Sequence, residues 1–219
     1  MKVIRYIAAL VVGLTLLSGS AMSQAACETS ESAAEDSSDK DWSFSIAMFG
    51  YLVPDDQSYG SPTFTADHHA LHLEARYNYE DHKTGSLWGG YNFSVGQRVT
   101  LEVTPMFGVV FGQTTGVAPG YNLSISYKKI ELISQGEYVF DTDDHTGSFF
   151  YAWNELVYSP ADWFHAGLVA QRTRVYQTPL DVQRGFSVGF SFKRADFTTY
   201  VFNAGWTDPT VVLGLTFNF

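Results

Sequence analysis

The chain ends Val211-Val212-Leu213-Gly214-Leu215-Thr216-Phe217-Asn218-Phe219. In an extended backbone, Val211, Leu213, Leu215, Phe217 and Phe219 fall on one side, and Val212, Gly214, Thr216 and Asn218 on the other. A repeat of two marks a β-strand, because successive side chains point to opposite faces. One face is oily throughout and the other mostly small or polar. Such a ribbon must cover its oily face, and what covers it decides the fold.

The same period runs back to Trp42. Phe186, Val188, Phe190 and Phe192 oppose Ser187, Gly189 and Ser191. Val99, Leu101, Val103, Phe107, Val109 and Phe111 alternate with Thr100, Glu102, Thr104 and Gly108. Leu71, Leu73, Ala75, Tyr77 and Tyr79 alternate with His72, Glu74, Arg76 and Asn78. Tyr121, Leu123, Ile125 and Tyr127 alternate with Asn122, Ser124 and Ser126, and Ile130, Leu132, Tyr138 and Phe140 oppose Glu131, Gln135 and Glu137.

A soluble sandwich also alternates, so the polar faces have to decide. Water-facing positions are usually rich in Lys, Glu and Arg. Here they are mainly Ser, Gly, Thr and Asn, and the apolar faces carry no charge. A Lys or Arg facing lipid at the bilayer midplane costs about 2–4 kcal/mol, which explains that absence. Aromatics make up 16% of the chain, and many stand near strand ends, among them Phe93, Tyr158, Trp163, Phe192 and Trp206. Rings with an apolar body and a wet edge favour the bilayer interface. The expected cover is hydrocarbon.

The terminal strand with its final Phe219 resembles the closing strand of bacterial outer-membrane β-barrels. That resemblance implies an all-β, transmembrane, antiparallel up-and-down barrel in the cell outer membrane, in contact with its lipids and lipopolysaccharide. In such barrels a terminal aromatic is the address read by the barrel-assembly machinery. Leu215, Phe217 and Phe219 are the residues that would carry it here. The resemblance covers the architecture class and no narrower family.

The start of the chain agrees. Lys2 and Arg5 precede an apolar stretch from Ile7 to Leu17, followed by small residues to Ala26. This reads as a secretory signal peptide over 1–26, too short to cross a membrane as a helix. Cys27, the single cysteine, follows Gln24-Ala25-Ala26 and stands either as a lipid acceptor or as an unpaired thiol. Residues 27–41 are acidic and Ser-rich, and read as a disordered periplasmic leader. The net charge is −10, and loss of Lys2 and Arg5 makes it −10 − 2 = −12, which argues against nucleic acid as a partner.

Residues 42–219 divide into twelve candidate strands, near 42–53, 59–65, 69–80, 86–94, 99–111, 119–127, 130–140, 148–158, 163–174, 184–192, 197–206 and 210–219. The second is weak because Pro62 sits inside it, and ten strands is the alternative. Short connections at Ser94–Arg98, Lys128-Lys129, Ser159–Asp162 and Lys193–Asp196 are assigned to the periplasm. Those at 113–120, 141–147, 175–183 and 206–209 are assigned outside. The acids Glu80-Asp81, Asp141 and Asp143-Asp144 are read as rim residues, with Asp55, Asp56 and Asp208.

The inward face then holds His72, Glu74, Arg76, Trp88, Glu102, Glu131, Glu137, Glu155 and His165, with Tyr51 and Met106. Five glutamates face one arginine, an acidic lining that attracts cations. The expected function is a narrow passive channel for small cations or polar solutes. The alternative is a non-transporting structural or surface-interaction barrel, with a lipid-modifying enzyme a further reading. For that chemistry His165 with Glu155 is the pair to examine, with Ser159 near the turn. Asp67-His68-His69-Ala-Leu-His72 and Asp141-Thr-Asp143-Asp144-His145 resemble metal groups only superficially. His68 and His72 on one strand would stand about 13 Å apart. No cofactor or metal is expected, and the oligomeric state is left open.

Overall fold

A computed structural model describes residues 42–52, 58–175, 181–205 and 209–219. The expected signal peptide and leader, with Cys27, lie outside the described residues, as do Asp55, Asp56 and Asp208.

Alternation of the kind quoted above produces one continuous antiparallel sheet. In chain order its strands are β1 (Ser43–Leu52), β2 (Tyr59–His68), β3 (Leu71–Tyr77), β4 (Thr84–Tyr91, continued by Phe93–Gly96), β5 (Val99–Gly112) and β6 (Gly116–Tyr127). They are followed by β7 (Ile130–Asp141), β8 (Phe149–Ala161), β9 (Phe164–Val175), β10 (Asp181–Phe192), β11 (Ala195–Phe202) and β12 (Thr210–Asn218). Each pairs with its neighbours in the chain, and β12 returns to pair with β1, from Ser45 opposite Asn218 to Leu52 opposite Val211. At the seam Phe44 and Phe219 exchange two backbone hydrogen bonds of 2.9 Å. A sheet with no free edge is what a bilayer requires, because hydrocarbon offers nothing to bond an exposed backbone group. The chain is a closed twelve-stranded up-and-down barrel.

Prolines account for two irregularities. Gly90 opposite Met106 and Phe93 opposite Val103 share one register, which sets Tyr91 opposite Pro105. Pro105 has no N–H to give the ladder. β4 is therefore one strand with a gap in its bonding rather than two strands. Pro62 is accommodated in the same spirit. Pairing of β2 with β3 stops at Thr63 opposite Arg76, and the Ser61 hydroxyl donates to the Tyr77 carbonyl at 3.2 Å in place of a ladder bond. Asn78 Nδ2 donates to the Gly60 carbonyl at 3.0 Å. The weak strand expected at 59–65 is thus a full one, Tyr59–His68.

The turn after it moves accordingly. The alternation predicts a strand beginning at 69, but His69-Ala70 is the turn itself, with His69 at φ 55°. The 13 Å separation of His68 and His72 along one strand does not apply, because the chain reverses between them. Asp67 is instead the residue directly opposite His72.

Side chains sort by face as the period demands. Leu87, Phe107, Leu168, Phe190 and Leu215 stand outside, each 46–65% exposed. A soluble monomer seldom exposes apolar patches beyond a few hundred Å²; here oily residues encircle the molecule. Trp42, Phe64 and Phe219 each stack on Phe44 at the end where β1 begins and β12 finishes. Tyr91 with Phe93, and Trp163 with Phe190, extend this aromatic rim. Leu215, Phe217 and Phe219 lie on that outer face, half exposed. Tyr79, expected on the oily face with Tyr77, is instead buried in the lumen. Asn78 takes a left-handed φ of 53°, and the period slips there.

Candidate functional site in the barrel lumen

The interior has three levels, counted from the end bearing the termini. The first is a cavity of about 400 Å³. Alternation turns Ser43, Ser45, Asp67, Asn92, Glu102, Thr104, Asn122, Ser124, Glu131, Gln135 and Asn218 toward it, and among the described residues the lining holds no Lys, Arg or His. Glu131 accepts from Ser124 Oγ at 2.6 Å. Asp67 accepts from Asn92 Nδ2 at 2.8 Å, and Asn92 Oδ1 accepts from Thr104 Oγ1 at 2.6 Å. Glu102 and Glu131 are only partly buried.

The second level is a chain of charges across the barrel. His72 sits between two carboxylates, with Nδ1 2.7 Å from Asp67 and Nε2 2.7 Å from Glu74. Glu74 also accepts from Asn122 Nδ2 at 3.1 Å and from Arg76 Nε at 2.6 Å. Arg76 then reaches across the lumen from β3 to β7, donating to Glu137 at 3.0 Å, and approaches Glu80 at 3.7 Å. Its guanidinium lies over the rings of Tyr79 and Trp88, 4.2 and 4.5 Å from their centroids. Three carboxylates thus share one arginine, all at least nine-tenths buried. Among the described residues, Glu80 Oε2 and Glu137 Oε1 have no hydrogen-bond partner.

The third level, toward the longer loops, is aromatic. Tyr51 stacks on Tyr59 at 4.4 Å, and Tyr79 meets Tyr151 edge-on at 6.5 Å. Trp153 of β8 contacts Tyr200 and Phe202 of β11 at 5.2 and 5.4 Å, spanning the two strands between. Phe49, Met106, Val139 and Val212 join the cluster. Such rings cross the lumen because glycines clear their path. A Cβ on Gly108, opposite Trp88, would come within 2.4 Å of the indole.

Of the lumen candidates read from the sequence, His72, Glu74, Arg76, Trp88, Glu137, Glu155 and His165 are buried, and Glu102 and Glu131 border the cavity. The structure divides them. His72, Glu74, Arg76, Glu137 and Trp88 belong to one network, whereas Glu155 and His165 stand apart from it. Nor do those two pair with each other. Glu155 accepts from Ser187 Oγ at 2.6 Å. His165 lies over Gly189, with Nε2 3.0 Å from Thr198 Oγ1 and Nδ1 3.7 Å from Asp196. The Thr198 hydroxyl donates to Asp196 at 2.8 Å, so its proton does not point at the imidazole. A nucleophile needs its base to take that proton, and this cluster is not arranged so.

Sequence reasoning missed Glu80, Asp67 and Asp196 as lumen residues. Glu80, expected at the rim, is 1% exposed and accepts from Ser86 Oγ at 2.5 Å and Trp88 Nε1 at 3.1 Å. Burial pushes its carboxyl above the usual range, and the nearby Arg76 guanidinium opposes that shift only in part. Asp141, also read as a rim acid, turns inward and caps its own loop, accepting from the amides of Asp143 and Asp144 at 2.9 Å. Alternation gives no warning of either, because both sit where a strand gives way to a turn.

The barrel is similar to solved structures of outer-membrane porins. The KdgM porin covers 80% of this chain and 99% of its own at a TM-score of 0.59 and 11% identity. The KdgM porin in complex with disordered oligogalacturonate matches equally, at a TM-score of 0.59 and 11% identity over 80% of this chain and 99% of its own. OccK5 (OpdH) of Pseudomonas aeruginosa matches over 82% of this chain and 67% of its own, at a TM-score of 0.44 and 9% identity. No protein-family model matches the chain, and no curated protein matches it. At such identities the likeness is one of fold: a closed antiparallel twelve-stranded β-barrel.

Proposed function

We propose that this chain is a narrow porin-like channel of the outer membrane for small cations or polar solutes. The observation that carries the reading is the cavity at the end bearing the termini. It is left open rather than filled, it is lined by Asp67, Glu102 and Glu131 with hydroxyls and amides, and among the described residues no basic side chain lines it. Carboxylates facing a watery pore raise the local cation concentration. Porin fold and membrane-facing exterior support the same reading. With the usual orientation of such barrels, this mouth opens to the periplasm. Residues 1–26 direct export, and Leu215, Phe217 and Phe219 address the chain to the assembly machinery. Beyond the mouth, the Arg76 chain and the aromatic cluster bridge the lumen, so passage depends on their moving aside.

Planar bilayers test this. Purified protein is expected to give discrete conductance steps with cation preference, reduced by Glu102→Gln and Glu131→Gln. A flat trace with insertion verified by antibody or protease protection removes the channel. That result favours a non-transporting barrel, a reading supported by the full burial of Trp153, Tyr151, Tyr200 and Phe202, each 1% exposed, inside the barrel.

A further inference from the structure

We infer that the cavity at the mouth is a binding site for a linear cation carrying two or more ammonium groups. The inference rests on reading this cavity as open to solution, and it holds whether or not ions pass the aromatic cluster. Two independent observations carry it.

The first is the charge and shape of the lining. Glu102 of β5 and Glu131 of β7 stand two strands apart on one wall of a space of about 400 Å³, and Asp67 of β2, which is paired with His72 at 2.7 Å, stands on another. That volume falls in the range of small-molecule pockets. Among the described residues, no base lines it, and no group of three or more His, Cys, Asp or Glu side chains is placed to hold a metal ion. The two glutamates on one wall and the acceptors on the walls facing them suit separate ammonium groups along one chain better than a single compact ion.

The second is an unused hydrogen-bonding group. Ser45 faces the cavity from β1 between the outward Phe44 and Ile46, and is 5% exposed. Its Oγ has no hydrogen-bond partner among the described residues. A buried hydroxyl left unpaired is unfavourable, and an N–H donor in the cavity removes that cost. Glu102 likewise accepts no hydrogen bond from any described side chain, although Glu131 has Ser124. The open acceptors are therefore Ser45 Oγ and the Glu102 carboxylate, on separate walls. Methylene groups of a linear ligand would run past Ile133, the buried apolar side chain of this lining.

Isothermal titration of the full chain in a non-ionic detergent, with spermidine as the probe, tests the site. Saturable one-to-one binding is expected, with n-butylamine and Mg²⁺ binding much more weakly. Glu102→Gln and Glu131→Gln should each weaken spermidine about tenfold, as loss of a hydrogen bond to a charged group would. Ser45→Ala should weaken it a few-fold, and Asp143→Asn, in the opposite loop, should leave it unchanged. Non-saturating heat, equal affinity for Mg²⁺, or indifference to Glu102→Gln and Glu131→Gln would overturn the site and show diffuse attraction to an acidic surface. Bilayer recordings on the same preparations separate the two readings. Conductance without spermidine binding sinks only this inference, and binding without conductance sinks only the channel.

Discussion

Arg76→Met is the most informative single change in this barrel. It keeps much of the side-chain volume and removes the one positive charge shared by Glu74, Glu80 and Glu137, at 2.6, 3.7 and 3.0 Å. Removing one partner of a buried ion pair costs about 3–5 kcal/mol, because the other charge is left uncompensated. Three carboxylates are left here, but their repulsion can be relieved by protonation, so we expect a loss near that range at pH 8 and a smaller one at pH 5. Trp88 reports on the site directly, since the guanidinium lies 4.5 Å from its ring centroid. Urea unfolding in detergent micelles, followed by tryptophan fluorescence and by the mobility shift on unheated gels, measures the change. Adding Glu74→Gln and Glu137→Gln to Arg76→Met should recover much of the loss. A midpoint within about 0.5 kcal/mol of the parent, typical of a solvated surface position, would refute the reasoning. It would mean that water reaches the carboxylates and that the network does not brace the lumen.

Two further outcomes follow from the same level of the barrel. Glu80 has its carboxyl raised by burial, so the folded state favours its protonated form, and its contribution to stability falls as pH rises through the raised value. Glu80→Gln retains the acceptor for Ser86 and Trp88 and should therefore stabilise the barrel at pH 8 more than at pH 5; equal destabilisation at both would contradict the assignment. Gly108→Ala places a Cβ 2.4 Å from the Trp88 indole, which must shift and lose its bonds to Glu80 and Ser86 at 3.1 and 3.0 Å. Overpacking of this kind costs about 1–3 kcal/mol, and an unchanged unfolding midpoint with unchanged tryptophan emission would show that the ring does not lie across that glycine.

What the chain discloses without coordinates is set by the period of the strand. Alternation is a local property, so the oily faces of β5, β10 and β12 and the inward placing of Glu102, Glu137 and Arg76 are legible from spacing alone. Apolar faces without charge and polar faces built from Ser, Gly and Thr mark hydrocarbon as the outer solvent. Strand count is legible too, because hairpins close through near neighbours. Only the closed barrel decided the rest. Arg76 and Glu137 are 61 residues apart, and no sequence rule says which glutamate one arginine will choose. Asp67 meets His72 because the turn falls at His69-Ala70 rather than before it. Glu80 and Tyr79 enter the lumen because one left-handed residue, Asn78, shifts the phase. The division into an open acidic mouth and an aromatic, bridged far half depends on which side chains converge from opposite walls. Face is dictated two residues at a time; partnership across a lumen is settled only when the last strand meets the first.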